Sequence, residues 1–359
     1  MRVALCVTPL HTILAHLVLE LARREDPSFD CELILGARAA TDDSDRLVRP
    51  AYWTAVRPFP ALHSERGLLR GRRLVSEWVR DHYPEGPACT VAMMGNDTDW
   101  RHQLLASLLG PPSLWLFEDG IGSYVERSPS TKTTRVIYRN MVYKPFLRKA
   151  YWNSRGLSHC RAGRYFSLFP GAFPFRPDRS KMEVLDVSSS AYVRSLKQAD
   201  VGFVATVPTA IITTQPLLET GIVRSLEEEL ALWRSLARFA GDRVEHVLVK
   251  PHPAESSENA LRRADAIRDA ARPATISVVP ASLPVELLYL ALGRVDLVAG
   301  AFSTALATAV LLLPGTKVVA PLNGVAFAPR GGAGYQSAYR SALSRIGVEF
   351  LHIETETRG

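Results

Sequence analysis

Residues 1–24 read MRVALCVTPLHTILAHLVLELARR, and the fold is decided there. The apolar run Val3–Val7 has the length of a buried strand and stops at Thr8-Pro9. Leu10, Ile13, Leu14, Leu17, Val18 and Leu21 then recur on one helical stripe, which predicts a helix from about Pro9 to Arg24. Strand, sharp turn and helix open a βαβ unit. A secretory signal would keep its apolar stretch continuous and end in a small-residue cleavage site; this one breaks at Pro9. The chain is therefore expected in the cytoplasm.

Working outward, the same alternation continues. Strand Cys31–Leu35, helix Leu68–His82, strand Cys89–Met94, helix Thr98–Leu109 and strand Ser113–Phe117 follow in the first half. The second half supplies strands Ala210–Thr214, Val244–Val249, Thr275–Val279, Leu297–Ala299 and Thr316–Val319. Helices Leu226–Ala240, Ser256–Ala271, Pro284–Leu292 and Ser303–Leu312 lie between them. Such a rhythm predicts doubly wound parallel sheets. It fails from Ser128 to about Arg179, where the sequence is basic, aromatic and proline-rich. The expected architecture is α/β and GT-B-like, with two Rossmann-like domains facing a cleft. Residues 1–180 would form the first, with an insertion at 127–178, and residues 181–359 the second.

Composition agrees with that reading. A chain of 359 residues is comfortable for two domains, and 47% hydrophobic with 22% charged residues is ordinary for a soluble protein. No run approaches the roughly 20 apolar residues of a membrane-spanning helix. Cys6, Cys31, Cys89 and Cys160 are widely spaced, which predicts buried thiols and no disulfide framework or zinc site.

Five constellations sit where strands give way to loops, the usual ligand edge of a parallel sheet. Glu118-Asp119-Gly120 follows an apolar strand; a carboxylate there can take a proton from an attacking hydroxyl, and Gly120 permits the positive φ that would aim it. The same letters also make an ordinary solvated turn. Lys250-Pro251-His252-Pro253 ends another strand, with prolines stiffening the backbone around an imidazole that can protonate a leaving phosphate. Ser303-Thr304 opens an apolar helix, as an anion site or a simple N-cap. Glu286 lies in a first helical turn, where it can chelate ribose hydroxyls or equally be a plain first-turn glutamate. Thr8-Pro9-Leu10-His11 and its counterpart Thr214-Gln215-Pro216 are candidate substrate-contacting loops. Asp97-Thr98-Asp99 matches a metal-binding Asp-x-Asp pattern, but equally a helix start with aspartates near its positive end. No metal is expected.

Taken in order, Glu118-Asp119-Gly120, His252-Pro253 and Ser303-Thr304 resemble the bacterial polysialyltransferase and lipooligosaccharide sialyltransferase families. Thr8-Pro9-Leu10, Thr214-Gln215-Pro216 and Leu283-Pro284-Val285-Glu286 are similar to what such chains carry. The resemblance implies a CMP-sialic acid or CMP-nonulosonate donor, inversion, and no cofactor. It makes Glu118 the general base with Asp119 supporting or sharing the role, and His252 the general acid. Ser303 and Thr304 would hold the phosphate and Glu286 the ribose, with Gly120, Lys250 and Pro253 lining the site.

The net charge of +7 is concentrated: between Glu126 and Asp178 stand eleven Lys and Arg and no acidic residue. This segment suits an acidic glycan acceptor, or an anionic membrane surface carrying lipid-linked acceptors. A solvated basic face is the plain alternative. No nucleic-acid module is visible. The competing functions are a teichoic-acid-type polyol phosphate transferase using a CDP-polyol, a nucleotide-sugar epimerase, and a non-catalytic scaffold that docks on membranes.

Overall fold

Two parallel sheets organise the chain, one in each half. The computed structural model describes residues 1–36, 45–59, 68–95, 100–125, 141, 162–173, 179–322 and 332–352. The first sheet holds β1 (Arg2–Cys6), β2 (Glu32–Leu35), β3 (Ala55–Pro58), β4 (Val91–Met94), β5 (Ser113–Phe117), β6 (Ala162–Ser167) and β7 (Met182–Val184). Its order is β3-β2-β1-β4-β5-β6-β7, every pair parallel. Helices α1 (Pro9–Glu25), α2 (Leu68–His82) and α3 (Trp100–Leu109) connect the strands. Val3, Leu5, Ile34, Met94 and Leu116 from the sheet pack with Val75, Trp78 and Leu104 from the helices. Strands covered in this way read as continuous apolar runs, which is why they were legible.

The second sheet holds β8 (Thr209–Thr213), β9 (His246–Lys250), β10 (Thr275–Val278), β11 (Leu297–Gly300), β12 (Lys317–Pro321) and β13 (Glu349–Leu351). Its order is β10-β9-β8-β11-β12-β13, again parallel throughout. After β7 comes α4 (Ala191–Leu196), and the helices of the second sheet are α5 (Leu226–Gly241), α6 (Ser257–Ala270), α7 (Val285–Leu292), α8 (Thr304–Leu312) and α9 (Gly332–Ile346). In both sheets the strand order reverses beside the first strand, between β1 and β4 in one and between β8 and β11 in the other. Such switch points are where open α/β sheets bind ligands.

The chain divides into two compact units after Tyr192. A boundary at residue 180 is too early. β7 pairs with β6, the Tyr192 hydroxyl donates to Leu47 O, and the Tyr192 N–H donates to Glu20. Two short spans, Gly120–Glu126 and Gly171–Pro174, belong to the second unit. Arg345 holds them there, donating to Tyr124 O at 2.8 Å and Ala172 O at 3.1 Å, while Tyr124 packs on Phe173.

The stretch read as an insertion also contains β6, which pairs with β5. Arg164 on β6 is the one cation of the basic segment among the described residues. It pairs with Glu25 and Glu183 and lies 4.7 Å over the Trp115 ring, so its charge is committed inside the first unit. The other ten, and Asp97-Thr98-Asp99, lie outside the described residues. Cys6, Cys31 and Cys89 are buried and free; Cys160 lies outside the described residues. Among the described residues no helix is long and apolar enough to cross a membrane.

Candidate active site

In the first unit the chemistry collects beyond β1, β4 and β5. Thr8 caps α1, its Oγ accepting from the His11 N–H at 3.2 Å, and Pro9 occupies the first turn, where a missing N–H costs nothing. This start places His11 in the first turn of the helix, 1% exposed. The Val7 N–H donates to His11 Nδ1 at 3.4 Å, so the neutral ring carries its proton on Nε2. Nε2 then donates to Asp119 Oδ1 at 2.7 Å. Gly95, just after β4, makes room for the ring: a Cβ there would lie 2.5 Å from His11 Nε2. The Phe117 ring meets the imidazole edge-on at 5.5 Å.

The two adjacent carboxylates have different surroundings. Glu118 is 5% exposed, and its Oε2 accepts from Ser167 Oγ at 3.0 Å and from the Leu168 N–H at 2.9 Å. It joins β5 to the end of β6. The Asp119 side chain is 39% exposed. The alternation of a strand end, one residue in and the next out, separates them.

In the second unit the loops after β8, β9 and β11 come together. Lys250 ends β9 buried, its Nζ donating to Pro251 O at 2.6 Å and Ala281 O at 3.1 Å. His252 and Pro253 are exposed. The Ala254 N–H donates to His252 Nδ1 at 3.0 Å, which again leaves the proton of the neutral ring on Nε2. Thr214 and Gln215, expected at the substrate, have protein partners: Thr214 Oγ1 donates to Glu255 at 2.7 Å. Gln215 clasps the backbone of Phe302, donating to its O at 3.2 Å and accepting from its N–H at 2.9 Å. That clasp shapes the entry to α8.

At the start of α8, Ser303 is the N-cap, its Oγ accepting from the Ala305 N–H. Thr304 Oγ1 accepts from the Ile121 N–H at 3.3 Å, which leaves its own O–H to donate. Gly120 has φ +68°, and a Cβ there would lie 2.6 Å from Thr304 Oγ1, so both backbone conformation and space require glycine. Glu286 lies in the first turn of α7. Burial pushes its carboxyl up, opposed by its own backbone N–H and by the Lys250 charge. Beside it the Tyr289 hydroxyl is buried without a partner.

Sequence reasoning missed Gly95 and Arg263, whose contacts are distant in the chain, and Glu255, which is bonded both to nearby His252 and to distant Thr214. Among the residues it named, His11 and Asp119 meet in the first unit; Gly120 and Thr304 meet in the second, as do Thr214 and the loop of His252.

A family model described as alpha-2,8-polysialyltransferase matches residues 108–321, a span that includes Glu118, Asp119, His252, Glu286, Ser303 and Thr304. No curated protein matches the sequence. Among solved structures, the GT-B domain of a sialyltransferase from Photobacterium damselae is similar at 14% identity and TM-score 0.52, over 98% of this chain and 100% of that one. A putative UDP-N-acetylglucosamine 2-epimerase from Listeria monocytogenes is similar at 15% identity and TM-score 0.52, over 89% of this chain and 78% of that one. A UDP-GlcNAc 2-epimerase from Neisseria meningitidis is similar at 13% identity and TM-score 0.50, over 96% and 89%. At such identities the likeness establishes the fold alone, a GT-B architecture.

Proposed function

This chain belongs to the alpha-2,8-polysialyltransferase family and is a glycosyltransferase of the sialyltransferase type, and from that premise we propose that it transfers sialic acid, or a related nonulosonic acid such as Kdn, from a CMP-activated donor to an acceptor hydroxyl, inverting the anomeric centre. The observation that supports this best is the pair of exposed reacting groups, Asp119 and His252, each with its geometry set by hydrogen bonds.

Asp119 is the general base. Its carboxylate is exposed, whereas Glu118, the base expected from the sequence, is buried and bonded to Ser167 and Leu168. As the acceptor oxygen bonds to the anomeric carbon, its proton passes to Asp119 and the bond from that carbon to the phosphate oxygen breaks. His252 Nε2–H donates to the departing phosphate. The N-terminus of α8, with Ser303 and the Thr304 hydroxyl, stabilises the phosphate charge without a metal. Glu286 holds the ribose. One base and one displacement give inversion. The basic sequence between Arg127 and Arg176, apart from Arg164, serves an acidic glycan or lipid-linked acceptor, or an anionic membrane surface.

Thermal shift with nucleotides tests the donor, since a ligand that binds only the folded state raises its stability. CMP should raise Tm well above the shift from UMP or GMP; equal shifts would remove the cytidine assignment. CMP release from CMP-sialic acid should survive EDTA, and strict dependence on manganese or magnesium would return Asp97 and Asp99 to the site.

A further inference from the structure

Behind the His252 turn lies a buried ion cluster. Arg263 on α6 is fully buried, and its Nε and Nη2 donate to Glu229 of α5 at 3.0 and 2.8 Å. Nη2 also donates to Glu219, in the turn after β8, at 2.7 Å. Nη1 lies 3.1 Å from Glu255 Oε2, within ion-pair range although misaligned for a hydrogen bond. One guanidinium thus ties together three segments around the loop between β9 and α6.

Glu255 carries that tie to the exposed turn. Its Oε1 accepts from the Thr214 hydroxyl at 2.7 Å and from the His252 N–H at 3.0 Å, and its own N–H donates to His252 O at 3.0 Å. Both backbone polar groups of His252 are therefore held by one residue. Pro251 and Pro253 fix their own φ angles, and Pro253 restricts His252 to extended conformations. Neither proline fixes where the turn sits on the sheet edge. A buried carboxylate paired to a buried guanidinium can do so, because moving it would leave charge uncompensated in a low dielectric.

We propose that Glu255 is the positioning residue of His252: anchored by Arg263, it sets the His252-Pro253 turn so that the Ala254 N–H meets Nδ1 and the Nε2–H is presented outward. The inference rests on the reading of His252 as the group that meets the donor phosphate.

Glu255→Ala and Glu255→Gln test it. Arg263 keeps Glu229 and Glu219 in both variants, so its charge stays paired and the fold should hold. Glu255→Ala should lower kcat roughly 100-fold, the loss expected when a reacting group is misplaced by about 1 Å, with donor KM little changed. Glu255→Gln, whose amide oxygen accepts the same two hydrogen bonds, should recover much of it. The independent readout is the tautomer of His252 by nitrogen NMR of 15N-histidine-labelled protein. The neutral ring should be the Nε2–H form in the unmodified protein, a mixture in Glu255→Ala, and close to the original in Glu255→Gln. An unchanged tautomer in Glu255→Ala, whatever happens to kcat, overturns the inference. Should Glu255→Ala not fold, a mutation of Thr214 to Val that removes one of the two Oε1 bonds should broaden the tautomer balance, and an unaltered balance there overturns it equally. Full activity in His252→Ala would instead sink the general-acid reading, and the tautomer result would still decide the role of Glu255.

Discussion

The ligand edge of the first sheet sets an exposed carboxylate against a buried imidazole; that of the second sets an exposed imidazole against a buried carboxylate. Asp119 is open and receives its hydrogen bond from His11, which is closed off by Gly95 and Phe117. His252 is open and is gripped through its backbone by Glu255, which is closed off against Arg263. In each pair the exposed member can meet substrate and the buried member restricts its geometry. The difference lies in the means. His11 bonds directly to the carboxylate of Asp119 and so restricts where its oxygens point. Glu255 touches only the backbone of His252, so it affects direction and tautomer. A base needs its lone pair aimed and its anion stabilised, whereas an acid needs its N–H aimed and little else.

The largest effects should follow removal of the exposed members. Asp119→Asn and His252→Ala should each lower kcat for CMP release by roughly 100-fold or more, with circular dichroism unchanged. Glu118→Gln should cost activity less and Tm more, because its carboxylate joins β5 to β6. If Glu118→Gln abolishes turnover while Asp119→Asn retains it, the roles within the acidic pair are reversed and the comparison breaks at its first term.

A second effect separates two histidines of α1. His16 is wholly buried, stacked on Tyr192 at 4.0 Å, with Nδ1 donating to Thr12 O and Nε2 accepting from Trp53 Nε1 at 2.9 Å. Burial pulls its pKa down to about 3, partly opposed by the Thr12 bond. A folded value below the unfolded 6.5 means the unfolded chain binds the extra proton. The stabilisation is therefore whole above pH 6.5 and declines as pH falls from 6.5 towards 3. Between pH 7 and pH 5 this amounts to about 2 kcal/mol, visible as a fall in Tm. His16→Gln should flatten that slope; an unaltered slope would place the acid sensitivity elsewhere.

Smaller effects belong to the buried holder of the base. His11→Ala should lower kcat about tenfold without removing activity, since Asp119 remains able to accept a proton. Gly95→Ala should act in the same direction, because its methyl carbon would stand 2.5 Å from His11 Nε2 and displace the ring. In both variants kcat should fall while donor KM stays near that of the unmodified protein. If kcat is unchanged in both, His11 is only packing and the two sheet edges are not analogous.

Much of the fold was legible because the central strands of both sheets are covered on both faces and appear as short apolar runs separated by helices with a clear stripe. The strands that escaped are peripheral or mixed in composition. β3 (Ala55–Pro58) holds Arg57 and Pro58, β6 alternates within a basic stretch, and β7 and β13 are three residues each. Their place comes from pairing with a neighbour already in the sheet, which no local pattern records.

The sequence by itself determined which chemistry is available and at which strand ends: Glu118-Asp119-Gly120, His252-Pro253 and Ser303-Thr304 are local signals, and the order of a chain preserves them. Only the tertiary structure decided which of two neighbouring carboxylates is open, that Thr214 and Gln215 brace loops, that His11 meets Asp119, and that Arg263 is buried among Glu229, Glu219 and Glu255. Burial and contacts between segments as far as 108 positions apart settle those matters. They depend on where the sheet and its helices bring distant segments together, and spacing along the chain does not contain that distance.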